Sequence, residues 1–540
     1  MRKKMWSSSL LLVSSTPLLL LLPGTSAELV KDGSTCIVTP ISDTSKAAAV
    51  APAVVIPRDD NPLAVPVGDI EESDPSLYSP PEGEDHHHGE PETEPEWGWE
   101  EPGFFHPADP ELYKQPAPGS PGALGRFPRP EPGSAAHRRR DSSSGSRSSK
   151  DLDARARVQT VQTRQSQPDD TPQILDAFKQ CGQDGTIILR EGTYHIRQVM
   201  DLTNLRNVSV EIHGTLIWSA DNLSYWRQAS PAVTYAGRQT AVRLGGTDIA
   251  VRGFGKALFD GNGQAWIDLA AGASNFQGRP ISLTVWYGTN VLIDGITWRM
   301  SQFWHTFVAH SQNVTMTNLN MSTYSSNSQS SQNTDGTNTW NSKDITISNW
   351  TVTCGDDCIG VKGNSSNVHV SNVVCHESGA MTIGSVGSNS AQPDYVENIV
   401  FDNITAIHSS NAAWIKTYPG NGYVRNVTFR NIQFEDVNQP IYVTSCIYSY
   451  NNCDSSRLKI SDITWSNITG TSRYNVAAGI HCSAAAPCEG FHFDNIDIRP
   501  KNGGGAAKVL CSNIKNQADM GIDCTGPCPG SQPQQLSGNV

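Results

Sequence analysis

Asn398-Ile-Val-Phe-Asp-Asn-Ile404 is one copy of a short pattern that recurs down the second half of the chain. An Asn or Asp opens it, alternating apolar residues follow, and an Asn or Gly precedes a last apolar residue. Other copies are Asn290-Val-Leu-Ile-Asp-Gly-Ile296, Asn313-Val-Thr-Met-Thr-Asn-Leu319, Asp344-Ile-Thr-Ile-Ser-Asn-Trp350 and Asn367-Val-His-Val-Ser-Asn-Val373. Asn426-Val-Thr-Phe-Arg-Asn-Ile432 and Gly490-Phe-His-Phe-Asp-Asn-Ile496 continue the series, and Arg457-Leu-Lys-Ile-Ser-Asp-Ile463 is a weaker copy. Successive copies start roughly 23 to 33 residues apart, the spacing of a solenoid. Alternation of period two signals a strand, and Asn and Gly suit the bends between strands. One such unit cannot bury its apolar side, whereas stacked coils can. The expected fold is all-β, a single right-handed parallel β-helix. A β-sandwich would need turns about every 8–12 residues, closer than these copies fall.

The solenoid is expected over residues 168–528. It opens with a short capping helix, with Thr171 as N-cap, Pro172 at the first helical position and Ile174, Leu175, Ala177 and Phe178 along one face. Residues 28–167 are poor in apolar runs and dense in Pro, Glu, Ser and Gly, as in Pro80-Pro-Glu-Gly-Glu84. Such a segment cannot bury enough surface to offset its ordering entropy, so a disordered tail is expected there, and a flexible C-terminus over 529–540. His86, His87 and His88 read as a solvated tract rather than a metal site. Arg138, Arg139 and Arg140 read equally as a processing site or a charged linker.

Arg2, Lys3 and Lys4 precede an apolar stretch over residues 10–22 and small residues ending at Ala27. This is the layout of a secretory signal over residues 1–27, with an uncleaved anchor as the alternative. No later segment is long and apolar enough to span a bilayer. Twelve cysteines fit an oxidising, extracellular route, and all twelve can pair, with connectivity left open. So do the Asn-x-Ser/Thr glycosylation acceptors Asn207, Asn222, Asn313, Asn320, Asn349, Asn364, Asn403, Asn426 and Asn467. A secreted monomer with no membrane attachment after signal removal is expected. The net charge of -13 argues against a nucleic-acid partner and gives no bulk attraction to an acidic polymer, so any grip on acidic sugar must be local.

Two acidic motifs punctuate the repeat: Asn333-Thr-Asp-Gly336 and, about one coil later, Gly355-Asp-Asp-Cys358. Stacked coils lie about 4.8 Å apart, so Asp335, Asp356, Asp357, the Ser378-Gly379 turn and Lys416 should share one exposed stripe. Neighbours on a regular strand point to opposite faces, so both members of the doublet reach solvent only at a bend, which Gly355 permits. A lone Asp in a turn is usually a loop cap, but two such motifs one coil apart carry chemistry. Cys358 and Cys375 read as a disulfide between neighbouring coils, with two separate buried thiols as the alternative. Glycosidic hydrolysis with inversion needs one protonated carboxyl and one carboxylate base holding water, about 6.5–9.5 Å apart. Crowded like charges keep one acid protonated. No pattern calls for a metal or another cofactor. His305 and His310 read as structural or rim histidines.

At these residues the chain resembles glycoside hydrolase family 28, the polygalacturonases and rhamnogalacturonan hydrolases of pectin breakdown. The resemblance covers about residues 169–528 and implies a right-handed parallel β-helix, a pectic substrate and inversion. It also implies Asp356 as general acid, with Asp335 and Asp357 holding the attacking water. Asn333, Gly379, Trp414, Lys416 and Tyr448 are the expected substrate contacts, and Gln439 is a further candidate for the cleft wall. Two positions depart from the usual polygalacturonase pattern. Gly379 stands where a His is usual, and Trp414-Ile-Lys416 replaces Arg-Ile-Lys. Losing a cation and gaining an aromatic face favours a neutral or deoxy sugar, while Lys416 remains for one uronate. The mixture points to an exo-acting or rhamnogalacturonan-related branch. The alternatives are a pectate-lyase-like β-elimination, which would need calcium and a basic residue, and a non-catalytic polysaccharide-binding solenoid.

Overall fold

The computed structural model of the chain describes residues 27–41, 168–379, 381–447, 453–501 and 505–528. Residues 1–26, 42–167 and 529–540 lie outside the described residues, and with them the signal segment, most of the expected tail, the expected flexible C-terminus and both basic tracts. The pattern read from sequence becomes parallel strands stacked coil on coil in one sheet of 24 strands, a right-handed parallel β-helix. Register aligns the copies residue for residue: Ile293, Met316, Ile347, Val370, Phe401, Phe429, Trp465 and Phe493 pair in succession. All of these are buried, and the row becomes an aromatic stack with ring centroids 5.0 Å apart for Phe401–Phe429 and 4.5 Å for Trp465–Phe493. Deleting a ring from such a row would remove packing from two neighbours at once, at about 3–5 kcal/mol for Phe to Ala.

The opening Asn of each copy sits at a left-handed bend, with φ between 51° and 58° at Asn313, Asn367, Asn398 and Asn426. Asn tolerates that region better than most residues, and its amide then bonds the next coil. Asn398 donates to Asn367 at 3.0 Å, and Asn426 donates to Asn398 at 2.8 Å. The same bend fixes the weak copy. Ile463 pairs with Val427, so the copy is Asp462-Ile-Thr-Trp-Ser-Asn-Ile468, five residues later than the run that begins at Arg457. Ile460 misleads because it too points inward, opposite Val424.

Three other expectations shift. The helix Thr171–Cys181 is present, but its N-cap is Asp170, one residue earlier. The Thr171 backbone N–H and hydroxyl both donate to Asp169 Oδ1. The tail does not begin at Glu28. Glu28–Asp32 and Thr35–Thr39 form a hairpin whose second strand pairs in parallel with Gln183–Leu189, adding a rung to the open end of the solenoid. The β-branched, apolar run Thr35-Cys-Ile-Val-Thr39 supplies the strand that the polar bulk of the segment hides, and Cys36 is bonded to Cys181 of the helix. Ten cysteines pair, including Cys358 with Cys375, while Cys354 and Cys528 stay as thiols. Cys354 is buried with its thiol against the Asp356 carbonyl oxygen at 3.2 Å, so it is spent locally rather than on a partner.

Candidate active site

Both acidic motifs fall in bends rather than strands. Asn333–Gly336 precedes the strand Thr337–Trp340, and Gly355–Cys358 precedes Ile359–Val361. Those strands pair Thr337 with Ile359, and the next pairing sets Ile359 against Met381, so each coil adds 22 residues here. The coil closure is direct: Gly336 N–H donates to Asp357 O at 3.0 Å, and Gly379 N–H donates to Asp356 O at 2.7 Å. One carboxylate oxygen from each of Asp335, Asp356 and Asp357 lies within 4.8 Å of the others.

The three carboxyls have different partners. Asp356 Oδ2 accepts from the Asn333 backbone N–H at 3.2 Å and the Asn333 amide at 3.0 Å, and its Oδ1 accepts from Asp357 N–H at 2.9 Å. Asn275 N–H holds the Asn333 side-chain oxygen at 2.6 Å and so turns that amide towards Asp356. Asp357 Oδ1 and Oδ2 are met by Lys416 Nζ at 3.1 and 2.9 Å, and Thr382 donates to Oδ1 at 3.0 Å. Asp335 Oδ2 accepts from Asn338 at 2.9 Å, and its Oδ1 is buried with no partner among the described residues. Burial, then the Asp356 and Asp357 charges, push the Asp335 carboxyl well above the usual carboxylate range. Burial, then Asp357, raise Asp356 as well.

Rows of the same sheet explain who meets whom. Asn338, Gly360, Thr382, Trp414 and Tyr442 pair across successive coils, and Trp340 is followed two places further along the strands by Lys362, Gly384, Lys416 and Thr444. Lys416 thus reaches back across Gly384 towards Asp357. Lys362, on the near side of that glycine, donates to Gly384 O at 2.9 Å and stands 3.9 Å from Asp357. Burial holds the Lys362 ammonium below its ordinary range, against the pull of Asp357. His305 is buried beneath Asp335, whose carbonyl oxygen accepts from both its backbone N–H and its Nδ1, and burial lowers its pKa to about 4.

The expected substrate contacts fare unevenly. Lys416 is engaged with Asp357 rather than turned to a uronate. Trp414 is 9% exposed, stacked on Tyr442 at 5.6 Å with the Lys416 ammonium 4.2 Å from its ring centre, so its faces are covered. Gly379 lies against Asp357, where a Cβ would come within 2.7 Å of Oδ1. Its bare Cα makes room for the carboxylate that Lys416 holds. Gly379→Ala is therefore expected to displace Asp357, cut kcat about 10²-fold and lower the thermal midpoint, as steady-state kinetics and a melt would show. Tyr448 lies outside the described residues, and Gln439 is buried. Asn338, Lys362 and Thr382 escaped the reading of the sequence. Asn338 and Thr382 lie on the strands that follow the Asp335 bend and the Gly379 turn, and Lys362 directly follows the strand after Asp357, a signal that needs the register to be known.

Residues 197–520 match the family described as Glycosyl hydrolases family 28. The chain is 34% identical over 385 residues to the alpha-L-rhamnosidase rgxB of Aspergillus niger, covering 68% of this chain and 89% of that one. It is 34% identical over 379 residues to an exopolygalacturonase of Cochliobolus carbonum, covering 66% and 83%. Among solved structures it is similar to the endo-xylogalacturonan hydrolase of Aspergillus tubingensis, with a TM-score of 0.61 and 31% identity over 67% of this chain and 96% of that one.

Proposed function

This chain belongs to glycosyl hydrolases family 28, and we propose that it is a secreted, exo-acting enzyme that cleaves α-glycosidic bonds at the ends of galacturonan or rhamnogalacturonan chains with inversion. The pectin-degrading hydrolase chemistry follows from the family; the finer reading rests on one observation. Three carboxyls converge within 4.8 Å with unequal partners, so they cannot behave alike. Asp356 gives its proton to the glycosidic oxygen as the C1–O bond breaks. Asp335 and Asp357 hold a water against C1, and Asp357, with Lys416 as its counter-ion, takes the proton it releases, leaving the sugar with a new hydroxyl on the opposite face.

Exo action is supported by a wall beside the cleft. Tyr235 packs on Trp304, Phe307 and Trp340 at 5.2–6.1 Å, and Arg238 lies over Phe303 and Trp304. Trp340 stands one coil before Lys362 on the same side of the strands, so this wall lies on the N-terminal side of the catalytic carboxyls. Relatives named as an exopolygalacturonase and a rhamnosidase support the same reading.

The close spacing favours one second reading. Carboxyls of retaining enzymes stand about 5–5.5 Å apart, nearer to the separation here than the about 6.5–9.5 Å usual for inversion. Against retention, Asp357 has both oxygens on Lys416, a poor state for a nucleophile. Digestion of homogalacturonan, rhamnogalacturonan and a rhamnosyl oligosaccharide, followed by proton NMR from the first minutes, separates these outcomes. The expected products are single sugars released as the inverted anomer. Retained configuration would move the enzyme to the second reading, early oligomers would remove the exo assignment, and an unsaturated product absorbing in the ultraviolet would replace hydrolysis with elimination.

A further inference from the structure

The catalytic chemistry leaves an aromatic corner unused. Tyr287 is the most exposed of the large apolar residues among the described residues, at 59%, and is held with φ +51°, where a bulky side chain is uncommon and costs energy. It stacks on His310 of the next coil with centroids 4.6 Å apart and planes 4° from parallel. Trp286 stands edge-on to both rings at 5.0 Å and 85°, and Trp340 stands edge-on to His310 at 4.8 Å. The rings thus brace one another in a fixed orientation.

On the other side the stack stops. The preceding coil offers only Gly245 and Gly246 at this level, because register slips between Val285 and Gly288 and two residues there oppose three. A Cβ on either glycine would come within 2.1 Å of backbone, so this floor stays flat. The result is a depression of about 320 Å³ lined by Thr203, Asn204, Arg243, Gly245, Gly246, Trp286 and Tyr287. A flat floor, one aromatic wall and polar rim groups suit a sugar ring, whose C–H face stacks on an arene while its hydroxyls meet donors and acceptors. The charge of the ligand follows from Arg243. It is the single cation of the lining and its guanidinium is paired with Asp201, while its Nε is buried without a partner among the described residues. A uronate would find no free positive charge there and would face the Asp201 carboxylate, whereas a neutral sugar meets neither difficulty.

We propose that this depression is a second carbohydrate site that holds a neutral sugar branching from, or ending, a pectic chain. The strand bearing Tyr287 lies three rungs before the strand that follows Asp357, about 14 Å along the solenoid axis. A polymer held there stays near the catalytic carboxyls, which raises its effective concentration at the cleft. The site extends the pectic-substrate reading given above and rests on it for the choice of ligand, but its test does not need catalysis.

The test uses the full chain carrying Asp356→Asn, run by affinity electrophoresis through gels containing xylogalacturonan, which carries neutral xylosyl branches, or unbranched polygalacturonate. Retardation in the branched polymer beyond that in the unbranched one is expected. Adding Tyr287→Ala should weaken binding to the branched polymer about tenfold, and Tyr287→Phe, which keeps the ring, should restore it. Equal retardation by both polymers, or undiminished binding by the Ala variant at an unchanged thermal midpoint, would overturn the proposal. A catalytic misassignment would show separately, as residual hydrolysis by the Asp356→Asn protein with the binding difference intact.

Discussion

Asp356→Asn is expected to lower kcat on the preferred pectic substrate by about 10²–10⁴-fold, the usual contribution of a positioned general acid, with substrate binding largely kept. The amide has nearly the shape of the carboxyl, and its oxygen can still accept from the Asn333 donors that meet Oδ2 at 3.0 and 3.2 Å. What it lacks is the proton to give to the leaving oxygen. The pH profile supplies an independent check, and its sign is fixed by the site. Burial, then Asp357, raise the Asp356 carboxyl above its ordinary value, so the protonated form survives to higher pH than a free aspartic acid would allow. A group that works protonated loses activity as pH rises through its own pKa. The alkaline limb of kcat/KM should therefore lie above the carboxyl range near 4, and it should vanish from any residual activity of the Asn variant. A leaving group that needs no protonation, such as an activated aryl glycoside, should recover part of the lost rate. If the variant hydrolysed polymer at the parental rate, proton donation would have to be assigned to Asp335, the other carboxyl held above its usual range.

The solenoid was legible because its physics is periodic. An inward residue every second position and an Asn at each bend leave a mark in any copy, and Asn398–Ile404 alone carries both. Counting coils then placed Asp335, Asp357 and Gly379 together, since each coil in that stretch has 22 residues. Chemistry that depends on side-chain direction was not legible. Lys416 is conspicuous in Trp414-Ile-Lys416, yet only the bare Gly384 between it and Lys362 shows that it folds back onto Asp357. Trp414 reads as a stacking platform until Tyr442, one coil on, and the Lys416 ammonium are seen to cover it. Arg279 gave no signal at all. It is 3% exposed, donates to the Gln302 and Gln332 carbonyls, and is coupled electrostatically to Asp335 and Asp356, all through loops outside the repeat. The edge hairpin was hidden for a different reason: composition averaged over residues 28–167 drowns a five-residue strand.

Lys416→Met is expected to damage both stability and rate. Asp357 is 2% exposed, and Lys416 supplies a charged donor to each of its oxygens. Met keeps the length and apolar stem of the side chain but leaves a carboxylate buried without its counter-ion. Breaking such a pair from one side costs about 3–5 kcal/mol, most of it the desolvation of the remaining charge. Lys362, 3.9 Å from Asp357, places the expectation at the lower end, about 3 kcal/mol, read as a fall in the denaturation midpoint. Rate should fall as well, because Asp357 can then turn from the water-holding position. The electrostatics predict a further shift. Lys416 lowers the Asp356 pKa, so its removal should carry the alkaline limb of the remaining activity to higher pH. Asp357→Asn combined with Lys416→Met distinguishes a lost ion pair from lost packing, since both charges are then gone. The double variant should regain most of the stability lost by Lys416→Met while remaining inactive, a coupling of at least about 1 kcal/mol in the cycle. If Lys416→Met alone unfolded at the parental denaturant concentration, Asp357 would have to be held by groups other than Lys416. The division of labour among the three carboxyls would then lose its electrostatic basis.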